Sequence, residues 1–270
     1  MKIKMEDNYI LAVEASIAAG EVIMEIYKKD FLIDFKNDNS PLTEADTAAN
    51  SVIMQYLKKT NIPIISEENK QIPYAIRKEW SSCWIVDPLD GTKEFIKKND
   101  EFTVNIALVK NGLPEFGVIY APATGVLYFG DVTQQKAFRI AIDHSNFITS
   151  DILKNAYNIM PKPNSRVIRI VGSRSHMNQE TLDFVHRIRE KSNKEIEMVS
   201  KGSSLKFCLV AEGSADIYPR FAPTMEWDTA AGQAISMAAG LKVIDITTNS
   251  DMKYNKESLL NSFFLVSNNA

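Results

Sequence analysis

Two aspartates bracket a proline and a leucine in the stretch SCWIVDPLDGTKEF, residues 82–95. Asp87 and Asp90 follow an apolar run, and Gly91 and Thr92 follow them. Pro88 fixes its own φ and pushes Asp87 toward extended backbone. Such a turn can aim both carboxylates, with the Leu89 carbonyl between them, into one space. Two carboxylates and a carbonyl oxygen are hard ligands of the kind that suit Mg²⁺. Gly91 and Thr92 would then open a short helix whose free N–H groups and positive end attract a phosphate. Taken alone, the stretch also reads as a helix cap at Asp90 and a closed turn at Asp87.

Two further acidic junctions bear on that choice. Glu67-Glu68 follows the apolar residues 62–65 through Ser66, and Asp228 precedes small residues in EWDTAAG. The first alone is a solvated turn; the second alone is a helix cap over a closely packed Ala-Ala-Gly run. Three acidic strand-to-helix junctions in one chain favour convergence. Glu67, Asp87, Asp90 and Asp228 would together supply oxygens for two or three Mg²⁺ ions. Two-metal phosphoryl sites space their ions ~3.5–4 Å apart, clamping the attacking and leaving oxygens.

The elements that must position these acids are legible from periodicity. Residues 9–28 carry Ile10, Val13, Ile17, Ile23 and Ile26 at helical spacing, and a second helix is expected over 43–59, with early acids at its start. Residues 62–65 and 84–86 read as short buried strands. Residues 103–109 and 115–120 flank Asn111-Gly112, a hairpin signal. Residues 125–129 and 137–142 continue an antiparallel meander. The pattern weakens over 143–166, where we expect a boundary between an N-terminal α+β half (1–150), holding most of the acids, and a C-terminal α/β half (151–270), holding Asp228. In the second half, strands at 167–171, 195–199, 215–218, 241–246 and 263–266 alternate with helices at 178–191, at 203–212 and from 228 onward.

Composition narrows the class. The chain has 270 residues, enough for a sizeable core, with 31 basic and 34 acidic residues and a net charge of −3. No basic patch or aromatic-basic interleaving marks a nucleic-acid binder. Cys83 and Cys208 lie beside apolar residues and read as buried free thiols of a reducing compartment. No apolar run approaches the ~20 residues that span a bilayer. Glu6, Asp7 and Glu14 interrupt what a signal peptide would need to keep apolar, so a helix is expected there.

The blocks ISEEN, WIVDPLDGTKEF and EWDTAAG, in that order, resemble the lithium-sensitive, Mg²⁺-dependent phosphatases of the inositol monophosphatase superfamily. The variant GTKEFI and the continuation DEFTVNIALV resemble the CysQ-type 3′(2′),5′-bisphosphate nucleotidases within it. The resemblance implies a layered αβαβα sandwich, an α/β (α+β) fold, with the metals between its halves. It makes Glu67, Asp87, Asp90 and Asp228 metal ligands, with the Leu89 carbonyl, and Glu67 catalytic as well. Thr92 would hydrogen-bond the attacking water and Asp46 would accept its proton. Gly91 and Thr92 would hold the transferred phosphoryl group.

On the substrate side, the resemblance points to Ser173 and His176 in GSRSH, Ser203 and Lys206 in GSSLKF, Arg220, and Asp228. A lone Lys or Arg also reads as a solvated surface charge, but a bisphosphate needs a cation for the phosphate it keeps. The implied reaction is hydrolysis of the 3′-phosphate of adenosine 3′,5′-bisphosphate to AMP, in sulfur metabolism. The sulfated analogue, 3′-phosphoadenosine 5′-phosphosulfate, is a second expected substrate. An inositol-phosphate or sugar-phosphate phosphatase on the same metal core is the competing reading, and a non-catalytic nucleotide sensor is another. We expect a cytoplasmic monomer, with a dimer and peripheral association with the inner membrane face left open.

Overall fold

The computed structural model describes residues 5–35, 41–142, 152, 154–162, 166–172 and 178–268. Among these, helix α1 (Asp7–Tyr27) leads to a short antiparallel ribbon of β1 (Ile33–Phe35) and β2 (Pro41–Thr43). Helix α2 (Glu44–Leu57) follows, then strand β3 (Ile64–Ser66), helix α3 (Tyr74–Arg77), strand β4 (Ser82–Asp90) and helix α4 (Thr92–Ile96). A meander completes the first half: β5 (Thr103–Lys110), β6 (Leu113–Ala121), β7 (Val126–Asp131) and β8 (Lys136–Ala141). Strand β9 (Tyr157–Ile159) adds to its edge, so β3 through β9 form one seven-stranded sheet in sequence order. Among the described residues of this sheet, only β3 and β4 pair in parallel.

The second half contributes β10 (Val167–Gly172), α5 (Gln179–Lys191), β11 (Glu195–Ser200), α6 (Leu205–Ala211) and β12 (Ile217–Arg220). Helix α7 (Glu226–Ala238) and strands β13 (Lys242–Asp245), β14 (Ser250–Asp251) and β15 (Phe264–Ser267) end it. The resulting sheet is mixed, in the order β11-β10-β12-β15-β13-β14. Helices α1 and α2 cover the outer face of the first sheet, and α6 and α7 lie between the sheets, with α5 outside the second. This is the layered αβαβα sandwich that the resemblance implies.

Strand β4 shows why its sequence runs apolar without alternation. Trp84 and Val86 pack among α1 and α2, while Cys83 and Ile85 face the central helices, so the strand is buried on both sides. Both cysteines are buried and free. The expected hairpin forms with Asn111 at φ 50° and Gly112 at φ 78°, the left-handed pair that a tight turn between twisted strands requires.

The central layer is thin because small residues line it. A Cβ on Gly232 would fall 2.3 Å from a ring carbon of Phe207, which is itself fully buried. Gly232→Ala is therefore expected to destabilise the protein by about 1–3 kcal/mol, since neither α6 nor α7 can retreat without pulling away from its sheet. Urea unfolding measures this, and a wild-type midpoint would contradict it.

Helix α7 begins at Glu226, two residues earlier than the sequence suggests. The backbone N–H of Glu226 is tied to the Leu259 carbonyl at 2.9 Å, which fixes the start. Strands β1, β2, β9 and β14, of two or three residues each, are too short to carry a periodicity and do not show in the sequence pattern. Much of the expected boundary segment lies outside the described residues, and β9, beyond residue 150, completes the first sheet.

Candidate active site

The register of β4 against β5 steps from Asp87–Asn105 to Asp90–Thr103, three residues against two. Pro88 cannot donate to a ladder, and a bulge here re-aims the strand end. Asp87 is 1% exposed, and its Oδ1 accepts the Leu89 N–H at 3.0 Å. The Leu89 carbonyl accepts the Thr92 hydroxyl at 3.3 Å. Gly91, at φ 93°, turns the chain into α4, and a Cβ there would be strained by that φ and would lie only 3.0 Å from the Glu101 carbonyl oxygen.

Glu67 follows β3, and its N–H bonds the Val86 carbonyl at 3.1 Å, so it emerges beside the end of β4. Helix α2 holds this loop: Ser66 Oγ donates to Asn50 Oδ1 at 2.7 Å, and Asn50 Nδ2 donates to Asn69 Oδ1 at 2.9 Å. Asp228 arrives from the second half in the first turn of α7, one carboxylate oxygen accepting the Met225 N–H at 2.8 Å. The sequence alone reads it as a cap; the earlier helix start makes it a residue of the turn itself. Carboxylate oxygens of Glu67, Asp87 and Asp228 lie within 4.8 Å of one another.

Burial, followed by Glu67, Asp90 and Asp228, holds the Asp87 carboxyl well above its usual range. Burial, then Asp90, raises Asp228 likewise. Like charges gathered in a poorly solvated site carry an energetic cost that an opposite charge relieves. The donors are oxygens only, the set that hard divalent ions take, so the residues fit a metal ion of the Mg²⁺ class.

Asp46 sits beside this cluster in the first turn of α2. Its Oδ2 accepts the Thr43 N–H at 2.7 Å and the Thr43 hydroxyl at 2.6 Å, and its Oδ1 accepts the Thr92 hydroxyl at 3.1 Å. Burial raises its pKa despite these bonds.

Asp90, a charged neighbour of both Asp87 and Asp228, also ties down a loop of the second half. Its Oδ2 accepts the Ser203 hydroxyl at 2.5 Å and the Ser204 N–H at 2.6 Å. The Ser203 hydroxyl thus engages Asp90 and lies 2.6 Å from Thr103 Oγ1. Behind it, Ser204 Oγ donates to Asn105 Oδ1 at 2.7 Å. Glu101 Oε2 accepts the Gly202 N–H at 2.8 Å, and a Cβ at Gly202 would collide with that side chain. Glu101, Thr103, Asn105 and Ser204 thus dock the 201–204 loop onto β5. The available signal is Thr103 and Asn105, two polar residues at strand spacing in an otherwise apolar strand.

A cavity of about 140 Å³ opens beside Asp90, lined by Gly91, Glu94, Ser203, Lys206, Arg220 and Asp228, among others. Lys206 is buried there, donating to the Ser203 carbonyl and at 3.4 Å to the Lys201 carbonyl, with Nζ 5.6 Å from the Tyr218 ring centroid. Burial pushes its pKa down to about 8, with Arg220 adding to the effect and Asp90 opposing it. Arg220 donates to the Pro223 carbonyl at 3.2 Å, while its buried Nε has no hydrogen-bond partner among the described residues. Ser173 and His176 lie outside the described residues.

Residues 4–269 match the model of the inositol monophosphatase family. A relative from Shigella flexneri, named 3′(2′),5′-bisphosphate nucleotidase CysQ, is 42% identical over 254 residues, covering 92% of this chain and 95% of its own. The crystal structure of CysQ from Bacteroides thetaiotaomicron, described as a bacterial member of the inositol monophosphatase family, aligns with a TM-score of 0.87. It is 44% identical and covers 97% of each chain. The IMPase of Thermotoga maritima, at 21% identity, shares the fold with a TM-score of 0.72, covering 97% of this chain and 92% of its own. The chain therefore belongs to the inositol monophosphatase family. That family is one of metal-dependent phosphatases, and the Glu67–Asp87–Asp228 cluster has the composition to bind a metal ion. No helix among the described residues is long and apolar enough to cross a membrane.

Proposed function

We propose that this chain is a Mg²⁺-dependent 3′(2′),5′-bisphosphate nucleotidase that removes the 3′-phosphate of adenosine 3′,5′-bisphosphate, giving AMP and phosphate. The observation that carries this reading is the arrangement on the two sides of Asp90. On one side is an all-oxygen acidic cluster; on the other, a cavity holding Lys206 and Arg220. The first suits a metal and the phosphoryl group being transferred. The second suits a phosphate that is kept, because a lysine and an arginine lining one cavity answer a second dianion.

Glu67, Asp87, Asp90, Asp228 and the Leu89 carbonyl would hold two or three Mg²⁺ ions, which supply Lewis-acid stabilisation and water activation. The Thr92 hydroxyl, bonded to Asp46, orients the attacking water and passes its proton to that carboxylate. Burial makes Asp46 a stronger base than an exposed aspartate, as the role requires. Gly91 and Thr92 offer backbone amides to the transferred phosphoryl group. Ser203, fixed on Asp90, holds the loop that brings Lys206 to the retained phosphate. Ser173 and His176 belong to the substrate side of the same reading. The buried free thiols support a cytoplasmic setting, and we read the protein as a monomer.

Comparing kcat/KM for adenosine 3′,5′-bisphosphate and for inositol 1-phosphate tests the assignment. We expect the bisphosphate to be preferred by about ten- to a hundredfold, the worth of one charge-assisted hydrogen bond that a monophosphate has no second phosphate to make. A preference for inositol 1-phosphate would transfer the protein to the inositol-phosphatase reading.

A further inference from the structure

Glu67 and Asp228 come from different halves, so something must fix their separation. A buried polar chain runs between the segments that carry them. Arg77, at the end of α3, is 3% exposed. Its Nε donates at 2.8 Å to the Ile72 carbonyl, five residues beyond Glu67. Its Nη1 donates to Asn255 Oδ1 at 2.7 Å and to the Lys256 carbonyl at 3.1 Å. Asn255 Nδ2 returns a bond to the Arg77 carbonyl at 2.8 Å. The next link is Glu226, fully buried, two residues before Asp228. One of its oxygens accepts the Asn255 N–H at 2.6 Å; the other accepts the Lys256 N–H at 3.0 Å and Lys256 Nζ at 2.6 Å.

Each link is specific in its chemistry. Among the described residues, each group that hydrogen-bonds the Glu226 carboxylate is a backbone N–H or the Lys256 ammonium. Arg77 spends its planar fork on carbonyl and amide oxygens, a geometry that a lysine cannot copy. The near end of the loop is held too, since Gln71 Nε2 donates to the Ser66 carbonyl at 2.9 Å. The loop of Glu67 and the first turn of α7 are thus joined through Asn255 with no long flexible step between them. A displacement of one segment by about an ångström would open the carboxylate cluster, and ligand-orienting interactions of this kind are worth about 10–100-fold in metal affinity.

We propose that Arg77 and Asn255 are positioning residues of the metal site, setting the approach of Glu67 to Asp228. The inference rests on the reading of those two acids as metal ligands. Asn255→Gly is the cleanest probe, because Asn255 has φ 58°, a conformation that glycine adopts without strain. Arg77→Lys is the second. In the full-length protein freed of metal, calorimetric titration with Mn²⁺ should show binding weakened about tenfold in both variants. The KM for Mg²⁺ should rise to match, while kcat at saturating Mg²⁺ stays near wild type. Arg169→Lys, which disturbs the Arg169–Asp216 pair in the second sheet, controls for lost stability, with unfolding temperatures measured in chelator. It should bind Mn²⁺ as wild type does. Wild-type Mn²⁺ affinity in both Asn255→Gly and Arg77→Lys, with lowered unfolding temperatures, would overturn the proposal and leave a purely structural tie. Failure of the wild-type protein itself to bind Mn²⁺ would instead overturn the metal reading on which it rests.

Discussion

Asp87→Asn is expected to lower kcat about a thousandfold while leaving the metal-free protein at least as stable as wild type. The loss follows from removing one ligand charge from a site whose metals supply several kcal/mol of transition-state stabilisation. The stability argument is independent of catalysis. Asparagine has the same shape, and its Oδ1 can keep the Leu89 N–H bond that Asp87 makes at 3.0 Å. What disappears is a buried carboxyl that folding forces to hold a proton, because burial and the nearby Glu67, Asp90 and Asp228 disfavour its ionised form. Relief of such strain at a functional site is worth roughly 0.5–2 kcal/mol.

The pH dependence has a definite sign. Burial and like charges raise Asp87 and Asp228 above their unfolded values, so the native state holds protons that the unfolded chain has released. Metal-free stability therefore falls as pH rises from the ordinary carboxylate range toward the raised values, and Asp87→Asn should flatten that fall. Turnover at saturating Mg²⁺ together with urea unfolding in chelator across pH measures both effects. Wild-type turnover would remove Asp87 from the ligand set, and a large loss of stability would make its carboxylate structural. Asp90 is a less clean target, because its Oδ2 also anchors Ser203 and Ser204.

How much of this is legible in the sequence depends on whether the signal is local. The apolar run before Asp87, the proline between the acids and Asn111-Gly112 each act within a few residues, and the chain folds there as those residues dictate. The gathering of Glu67, Asp87 and Asp228 can be foreseen only because three acidic junctions in one chain invite convergence. The ties that hold the site cannot. Arg77 reaches Asn255 across 178 residues, and Ser203 reaches Asp90 across 113, so neither leaves a pattern in sequence. Ser203 shows the consequence. Its neighbours in sequence give no sign of the carboxylate that its hydroxyl meets at 2.5 Å. Thr103 and Asn105 do leave a trace, since polar residues on one face of a buried strand need partners from another element.

Lys206→Met is expected to cost about a hundredfold in kcat/KM for adenosine 3′,5′-bisphosphate and little for adenosine 3′-phosphate. Methionine matches the lysine stem in length and suits its buried path beside Tyr218, so the cavity wall should survive the change. The lost interaction is a charge-assisted hydrogen bond to the retained phosphate, worth about 1.5–3 kcal/mol. A substrate without that phosphate loses only the smaller share that comes through the Lys201 and Ser203 carbonyls, which Nζ also bonds. Titration separates this from a merely structural effect. With its pKa pushed down to about 8, Lys206 of the free enzyme is a cation below that pH and neutral above it. Thus kcat/KM for the bisphosphate should fall as pH rises through this value. The fall should be absent for the 3′-monophosphate and absent in Lys206→Met. Equal losses on both substrates would place Lys206 against the reacting phosphate instead. The second phosphate would then have to be held by Arg220, which lines the same cavity.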